Sequence, residues 1–201
     1  MMLNRKSTGR TGRLAGMVAI AAAAALALTA CNSGSGSAGG TSPAAGGDLK
    51  ITFIPKQLNN PYTDVVLGGG KKGATEAGFA SSQVVGPLEA SASSQVSFIN
   101  AETQAGTNVI AIAANDPDAV CTALGEARSA GAKIVAFDSD ANPDCRDVFI
   151  SQVVAKEVAL IQTKLISEQI GGSGEIAILS ATANATNQNE WIKYMEEELA
   201  S

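Results

Sequence analysis

Residues 51–78 read ITFIPKQLNNPYTDVVLGGGKKGATEAG. The first residues form a short apolar run suited to a buried strand, and from Tyr62 onward the apolar positions recur with helical spacing. Between them lie Lys56, Asn59, Asn60 and Pro61-Tyr62, a polar turn in which asparagine before proline fits an N-cap and a first helical residue. Strand, tight turn and amphipathic helix make the opening half of a parallel crossover unit.

The unit repeats. Strands are expected at Lys50–Pro55, Gln83–Gly86, Val109–Ala113, Lys133–Phe137 and Val148–Ser151, and helices at Tyr62–Ala77, Ser93–Ala105 and Pro117–Ala130. Alternation of this length implies an α/β fold with a doubly wound parallel sheet. Residues 48–151 complete a first lobe. The pattern then restarts with a helix over Val154–Gln169 ended by GGSG, a strand over Glu175–Leu179 and a helix over Gln188–Ala200. One strand and its helices do not close a lobe, so residues 152–201 read as the start of a second lobe, truncated at Ser201.

The N-terminus reads as an address rather than as fold. Arg5, Lys6, Arg10 and Arg13 precede an uncharged apolar run, Leu14–Leu28, and then LTAC at 28–31. The run is shorter than the ~20 residues a membrane span needs. Residues 1–30 are therefore expected to be a lipoprotein signal peptide cleaved before Cys31, whose thiol carries the lipid. Residues 31–47 are nearly all Gly, Ser, Ala, Thr and Pro, too poor in apolar surface to offset chain entropy, and read as a flexible tether.

Cleavage removes four of the 14 basic residues and no acid, leaving 10 against 19 and moving the formal net charge from -5 to -9. An acidic secreted domain without histidine is a poor partner for nucleic acid. With Cys31 assigned to lipid, Cys121 and Cys145 remain, an even number in an oxidising compartment; a disulfide is expected, with two inert buried thiols as the alternative. Two thiolates without histidine leave a zinc ion short of ligands, so no metal and no cofactor are expected.

In open parallel sheets, ligands sit outside the carboxyl ends of the strands. The loops there carry Lys56, Asn59, Asn60 and Tyr62 after the first strand, Asn115, Asp116 and Asp118 after the third, and Asp138, Ser139 and Asp140 after the fourth. The second lobe's strand is followed by Thr182, Thr186, Asn187, Gln188 and, one turn on, Trp191. Carboxylates and amides suit vicinal hydroxyls, and an aromatic face covers the C–H surface of a sugar ring. Asn60 and Asp116 are equally suited to capping helices, and Trp191 to packing. Asp138 directly follows the apolar run KIVAF, where a carboxylate without a partner is costly.

IPKQLNNPY (54–62), AANDPDAVCTAL (113–124), FDSDANPDCR (137–146) and ILSATANATNQNEW (178–191) together resemble the periplasmic sugar-binding proteins of ABC importers. The likeness is to their rhamnose-binding and autoinducer-2-binding branch, the type I or ribose-binding-protein-like group, and covers roughly Leu49 to Leu199. It implies two lobes closing on a ligand. The autoinducer-2 binder's lysine after strand one is matched by Lys56 and its aspartate after strand four by Asp138. Its Asp-Gln pair is matched by Asn187-Gln188, which keeps the glutamine and loses the acid. TNQN and ANDPDA are closer to the rhamnose branch, whereas the paired Cys121 and Cys145 are similar to the autoinducer-2 branch.

GGGKKG at Gly68–Gly73 lacks the spacing of a phosphate loop and falls within a helix, where the glycines suit close helix packing. NAT at Asn184 matches a glycosylation signal, but a lipobox implies a bacterial cell. No histidine and no G-x-S-x-G elbow argue against an enzyme. The expected function is thus non-enzymatic: capture of a small rhamnose-like sugar by a monomeric, membrane-anchored extracytoplasmic protein for delivery to ABC permease subunits. The alternatives are autoinducer-2 uptake and a sugar-sensing domain for a signalling partner. The expected ligand-binding set is Lys56, Asn60, Tyr62, Asn115, Asp138, Asn187, Gln188 and Trp191.

Overall fold

A computed structural model describes residues 48–200. The expected signal peptide, the tether and Cys31 lie outside the described residues. Five strands, β1 (Lys50–Ile54), β2 (Ser81–Val84), β3 (Val109–Ile112), β4 (Lys133–Phe137) and β5 (Val148–Ile150), form one parallel sheet in the order β2-β1-β3-β4-β5. Helices α1 (Pro61–Glu76), α2 (Ala92–Gln104) and α3 (Cys121–Ser129) make the crossovers. Strand order reverses between β1 and β3, which places the crevice of an open α/β sheet at the carboxyl ends of those two strands.

Period-two alternation divides the core. Ile54, Ile110, Ile112 and Ile134 are fully buried on one face with Ile99 of α2 and Leu124 of α3. Phe53 and Ala111 point the other way and pack with Leu67 of α1 and with Phe137. Within the GGGKKG run, Gly70 is the residue that packing requires: a Cβ there would stand 2.7 Å from Phe53 Cε1. Gly68, Gly69 and Gly73 face open space.

Buried polar side chains hold the layers in register. Glu102 of α2 accepts from Thr52 Oγ1, Gln83 Nε2 and Thr107 Oγ1 at 2.7, 2.8 and 2.6 Å, tying the helix to β1 and β2. Gln95, also on α2, donates to the carbonyls of Pro55 (3.0 Å) and Ala113 (2.8 Å) and accepts from Asn115 N (2.9 Å). It thereby satisfies backbone groups of β1 and β3 just where both strands end.

Two expectations are corrected. The third helix begins at Cys121 rather than Pro117, because Asp116 Oδ1 accepts from the amides of Asp118 and Ala119, and Cys121 N donates to Asp118 O. That separate capped turn precedes the helix. Residues 175–179 form no strand: a strand needs a neighbour to complete its ladder, and among the described residues none lies beside this segment, so Leu179 is 99% exposed. Residues 152–200 instead contribute helices α4 (Ala155–Ile170) and α5 (Thr186–Leu199), which pack on each other. Gly171, at φ 76°, supplies the left-handed residue that ends α4. Cys121 and Cys145 are joined as a disulfide with their Cα atoms 5.3 Å apart, linking the start of α3 to the loop after β4.

Candidate functional site

The turn after β1 is built first by its own side chains. Asn60 Oδ1 accepts from Tyr62 N at 3.0 Å and Thr63 N at 3.4 Å, capping α1, while Asn59 turns the chain at φ 57°. Asn115 Nδ2 donates to Lys56 O at 2.9 Å and fixes the backbone from which Lys56 projects.

Lys56 meets two partners from distant parts of the chain. Its Nζ donates to Asn187 Oδ1 at 2.9 Å and stands 3.8 Å from Asp138 Oδ2. Asn187 Nδ2 in turn donates to Asp138 Oδ1 at 3.2 Å, so lysine, amide and carboxylate close a triangle. Asp138 Oδ1 also accepts from Tyr62 Oη at 3.0 Å and from Gln152 Nε2 at 2.6 Å. Lys56 and Asp138 side chains are only 15% and 11% exposed. Burial holds the Lys56 ammonium below its usual range, with the Asp138 charge opposing that shift. Burial first, and the same carboxylate second, push the Tyr62 hydroxyl up to about 12.

Asp138 carries a φ of 59°, a left-handed conformation that is uncommon for a residue with a Cβ. Strain of this kind, about 1–3 kcal/mol, persists where the surroundings over-determine the backbone, and it clusters at ligand sites. Here the Asp138 amide donates to Ile150 O and the side chain is held from three directions.

These groups line a cavity of about 460 Å³. Asn60, Gln188 and Trp191 share the wall with them, and Phe137, Val66 and Val158 make an apolar side. Gln188 Oε1 accepts from Ser180 Oγ (2.7 Å) and Ala181 N (2.8 Å), which anchors the loop before α5. An ammonium, a carboxylate and amides sharing a cavity with apolar and aromatic side chains can hydrogen-bond hydroxyl groups while covering apolar surface. Among the described residues no group of three or more His, Cys, Asp or Glu side chains is placed to hold a metal ion.

Residues 51–201 match the periplasmic binding protein domain family. The chain belongs to that family. Among similar solved structures is a sugar ABC transporter protein from Actinomyces odontolyticus, 69% identical over 76% of this chain and 49% of that one, with a TM-score of 0.60. A second is an ABC transporter solute-binding protein from Clostridium phytofermentas with bound L-rhamnose, at 35% identity, 77% and 48% coverage, and a TM-score of 0.71. LsrB from Clostridium saccharobutylicum in complex with AI-2 follows at 30% identity, 75% and 48% coverage, and a TM-score of 0.67. The chain spans about half the length of these three proteins. Family members of this kind are transport solute-binding proteins, and the parallel sheet matches their type I fold.

In this periplasmic binding protein, seven of the eight expected ligand residues lie on the cavity wall: Lys56, Asn60, Tyr62, Asp138, Asn187, Gln188 and Trp191. Asn115 does not. It is 3% exposed, stands behind Lys56 and acts on the site through the backbone. Asp116 and Asp140 are also off the main wall, the first capping a turn and the second held by Arg146 at 2.6 and 2.8 Å. Gln152 was missed. Its signal was present, since it lies two residues past β5, at the carboxyl end of a strand. Gln95 was missed too, although Gln95, Ile99 and Glu102 share the buried face of α2 at helical spacing.

Proposed function

We propose that the protein is an extracytoplasmic solute-binding lipoprotein that captures a small, rhamnose-like sugar between two lobes, residues 48–151 and a second beginning at 152, and delivers it to an ABC permease. The observation that carries this reading is the triangle of Lys56, Asp138 and Asn187, which joins the loops after β1 and β4 to the first turn of α5. Such a triangle offers donors and acceptors to vicinal hydroxyls. Phe137, Val158 and Trp191 offer apolar surface to ring C–H groups and to the methyl of a deoxy sugar. The volume lies within the ~300–1,000 Å³ of small-molecule sites. Similarity to the L-rhamnose-bound Clostridium phytofermentas protein supports that ligand class.

Autoinducer-2 uptake is the second reading, favoured by Lys56, Asp138 and Gln188 together and by similarity to the AI-2 complex. A thermal-shift screen of full-length protein against L-rhamnose, ribose, xylose, galactose and autoinducer-2 separates the two. A ligand present at 100 times its Kd adds about 2.7 kcal/mol to stability. L-Rhamnose is expected to give the largest shift; shifts from none of the five would contradict sugar capture. Attachment through Cys31 belongs to the same proposal, and labelled fatty acid still incorporated into Cys31→Ser would overturn it.

A further inference from the structure

Off the wall of the 460 Å³ cavity, the start of α5 and the residues just before it are fastened to the sheet body. Asp116 spends Oδ1 on its own turn, accepting from Asp118 N and Ala119 N at 3.0 Å each. Its Oδ2 accepts from Asn184 Nδ2 at 2.5 Å, across 68 positions of sequence. Two residues on, Thr186 Oγ1 donates to Asp140 O at 3.1 Å. Ala185, between these two fastenings, is fully buried, whereas no residue of α5 itself is. Ala185 is the fully buried residue of a half-buried to exposed stretch, and the two flanking bonds run to the loops after β3 and β4.

We propose that Asp116, Asn184 and Ala185 form a clasp that holds the lobes closed from outside the cavity and sets how long a captured sugar stays. It rests on the two-lobed capture reading. The clasp lies directly before Asn187, the residue that bonds both Lys56 and Asp138, so releasing it frees the segment that completes the site. The physical argument is one of populations. Apparent affinity scales with the fraction of protein in the binding-competent state, so a contact made only in the closed state strengthens binding without touching the ligand. Encounter takes place with the lobes open and escape requires opening, so the clasp slows dissociation and does not speed association.

Capping alone predicts otherwise, because Asn184 takes no part in the Asp116 turn. The test uses full-length protein carrying Asn184→Ala, Asn184→Asp, Ala185→Leu or the exchanged pair Asp116→Asn with Asn184→Asp. Acrylamide quenching of Trp191, the chain's one tryptophan, reports lobe opening in ligand-free protein, and stopped-flow mixing with L-rhamnose gives both rates. Asn184→Ala is expected to raise quenching and to speed L-rhamnose release about 5-fold, equivalent to about 1 kcal/mol, with association no slower than wild type. Asn184→Asp should act more strongly through like charge, and the exchanged pair should return both readouts toward wild type, since the donor and the carboxylate have only changed places. Wild-type quenching in Asn184→Ala, or failure of the exchange to rescue Asn184→Asp, would overturn the clasp. Absence of L-rhamnose binding to wild type would count against the capture reading alone, because quenching is measured without ligand.

Discussion

Lys56 Nζ reaches Asn187 Oδ1 at 2.9 Å across 131 positions of sequence, joining the turn after β1 to the first turn of α5. Both residues also face Asp138, so the contact belongs to a three-residue unit rather than to an isolated pair. A buried ammonium next to a carboxylate is costly unless both are satisfied. Asn187 supplies an acceptor to one and a donor to the other.

Gln95 is predicted to be a principal support of that unit. Gln95→Leu keeps the volume approximately but strands two carbonyls and one amide at the ends of β1 and β3. Each unsatisfied buried group costs about 1–3 kcal/mol, so a loss of at least about 3 kcal/mol is expected from denaturant unfolding. A change below about 1 kcal/mol would contradict the role.

Gly69 and Gly70 are predicted to respond to alanine with opposite signs. Gly69→Ala meets nothing and gains helix propensity, up to about 1 kcal/mol. Gly70→Ala places its Cβ against Phe53, a residue 8% exposed whose ring is already in edge contact with Phe137, and overpacking of this kind costs about 1–3 kcal/mol. Melting temperatures of the two variants provide the check, and equal shifts would contradict the close-packing account.

The strands and α1 were legible because each carries its signal locally: an apolar run, a cap and a period. The start of α3 was not, since Asp116 can cap a single turn as readily as a helix and the sequence does not distinguish them. Residues 175–179 have strand composition, but a strand is a relationship between two segments. Lys56 and Asp138 were found as loop residues at strand ends, and the resemblance named the same two. Gln152 follows the same rule after a strand of only three residues, where the signal is weakest. Asn184 stands out in the sequence only as part of a glycosylation triplet. Its bond to Asp116 depends on two loops meeting, which no local pattern encodes.

Tyr62 gives a prediction in pH. Its folded-state value of about 12 exceeds the ordinary value of 10.0, so the fold favours the protonated phenol. Its contribution to stability is therefore full below pH 10 and is lost as pH rises toward about 12. Lys56 has the opposite sign: burial lowers its value below 10.5, and the cost of the buried ammonium is relieved as pH rises through the interval up to 10.5. Phenolate absorbance titration should contain a step near 12 that is missing in Tyr62→Phe. Loss of a step near 10 rather than near 12 in Tyr62→Phe would contradict the Tyr62–Asp138 contact.

The most direct test of sugar capture is calorimetric titration of full-length wild type, Lys56→Ala and Asp138→Asn with L-rhamnose, accompanied by melting curves. Asparagine is the choice at 138 because it tolerates a φ of 59°, which alanine does not, so charge is removed without adding backbone strain. Each substitution leaves desolvated groups unpaired at about 1–3 kcal/mol, which corresponds to a roughly 5- to 100-fold loss of affinity. Asp138→Asn is expected to have the larger effect on affinity; both variants also melt lower, because each breaks the Lys56–Asp138–Asn187 unit of the ligand-free protein. Wild-type affinity in both would contradict the account.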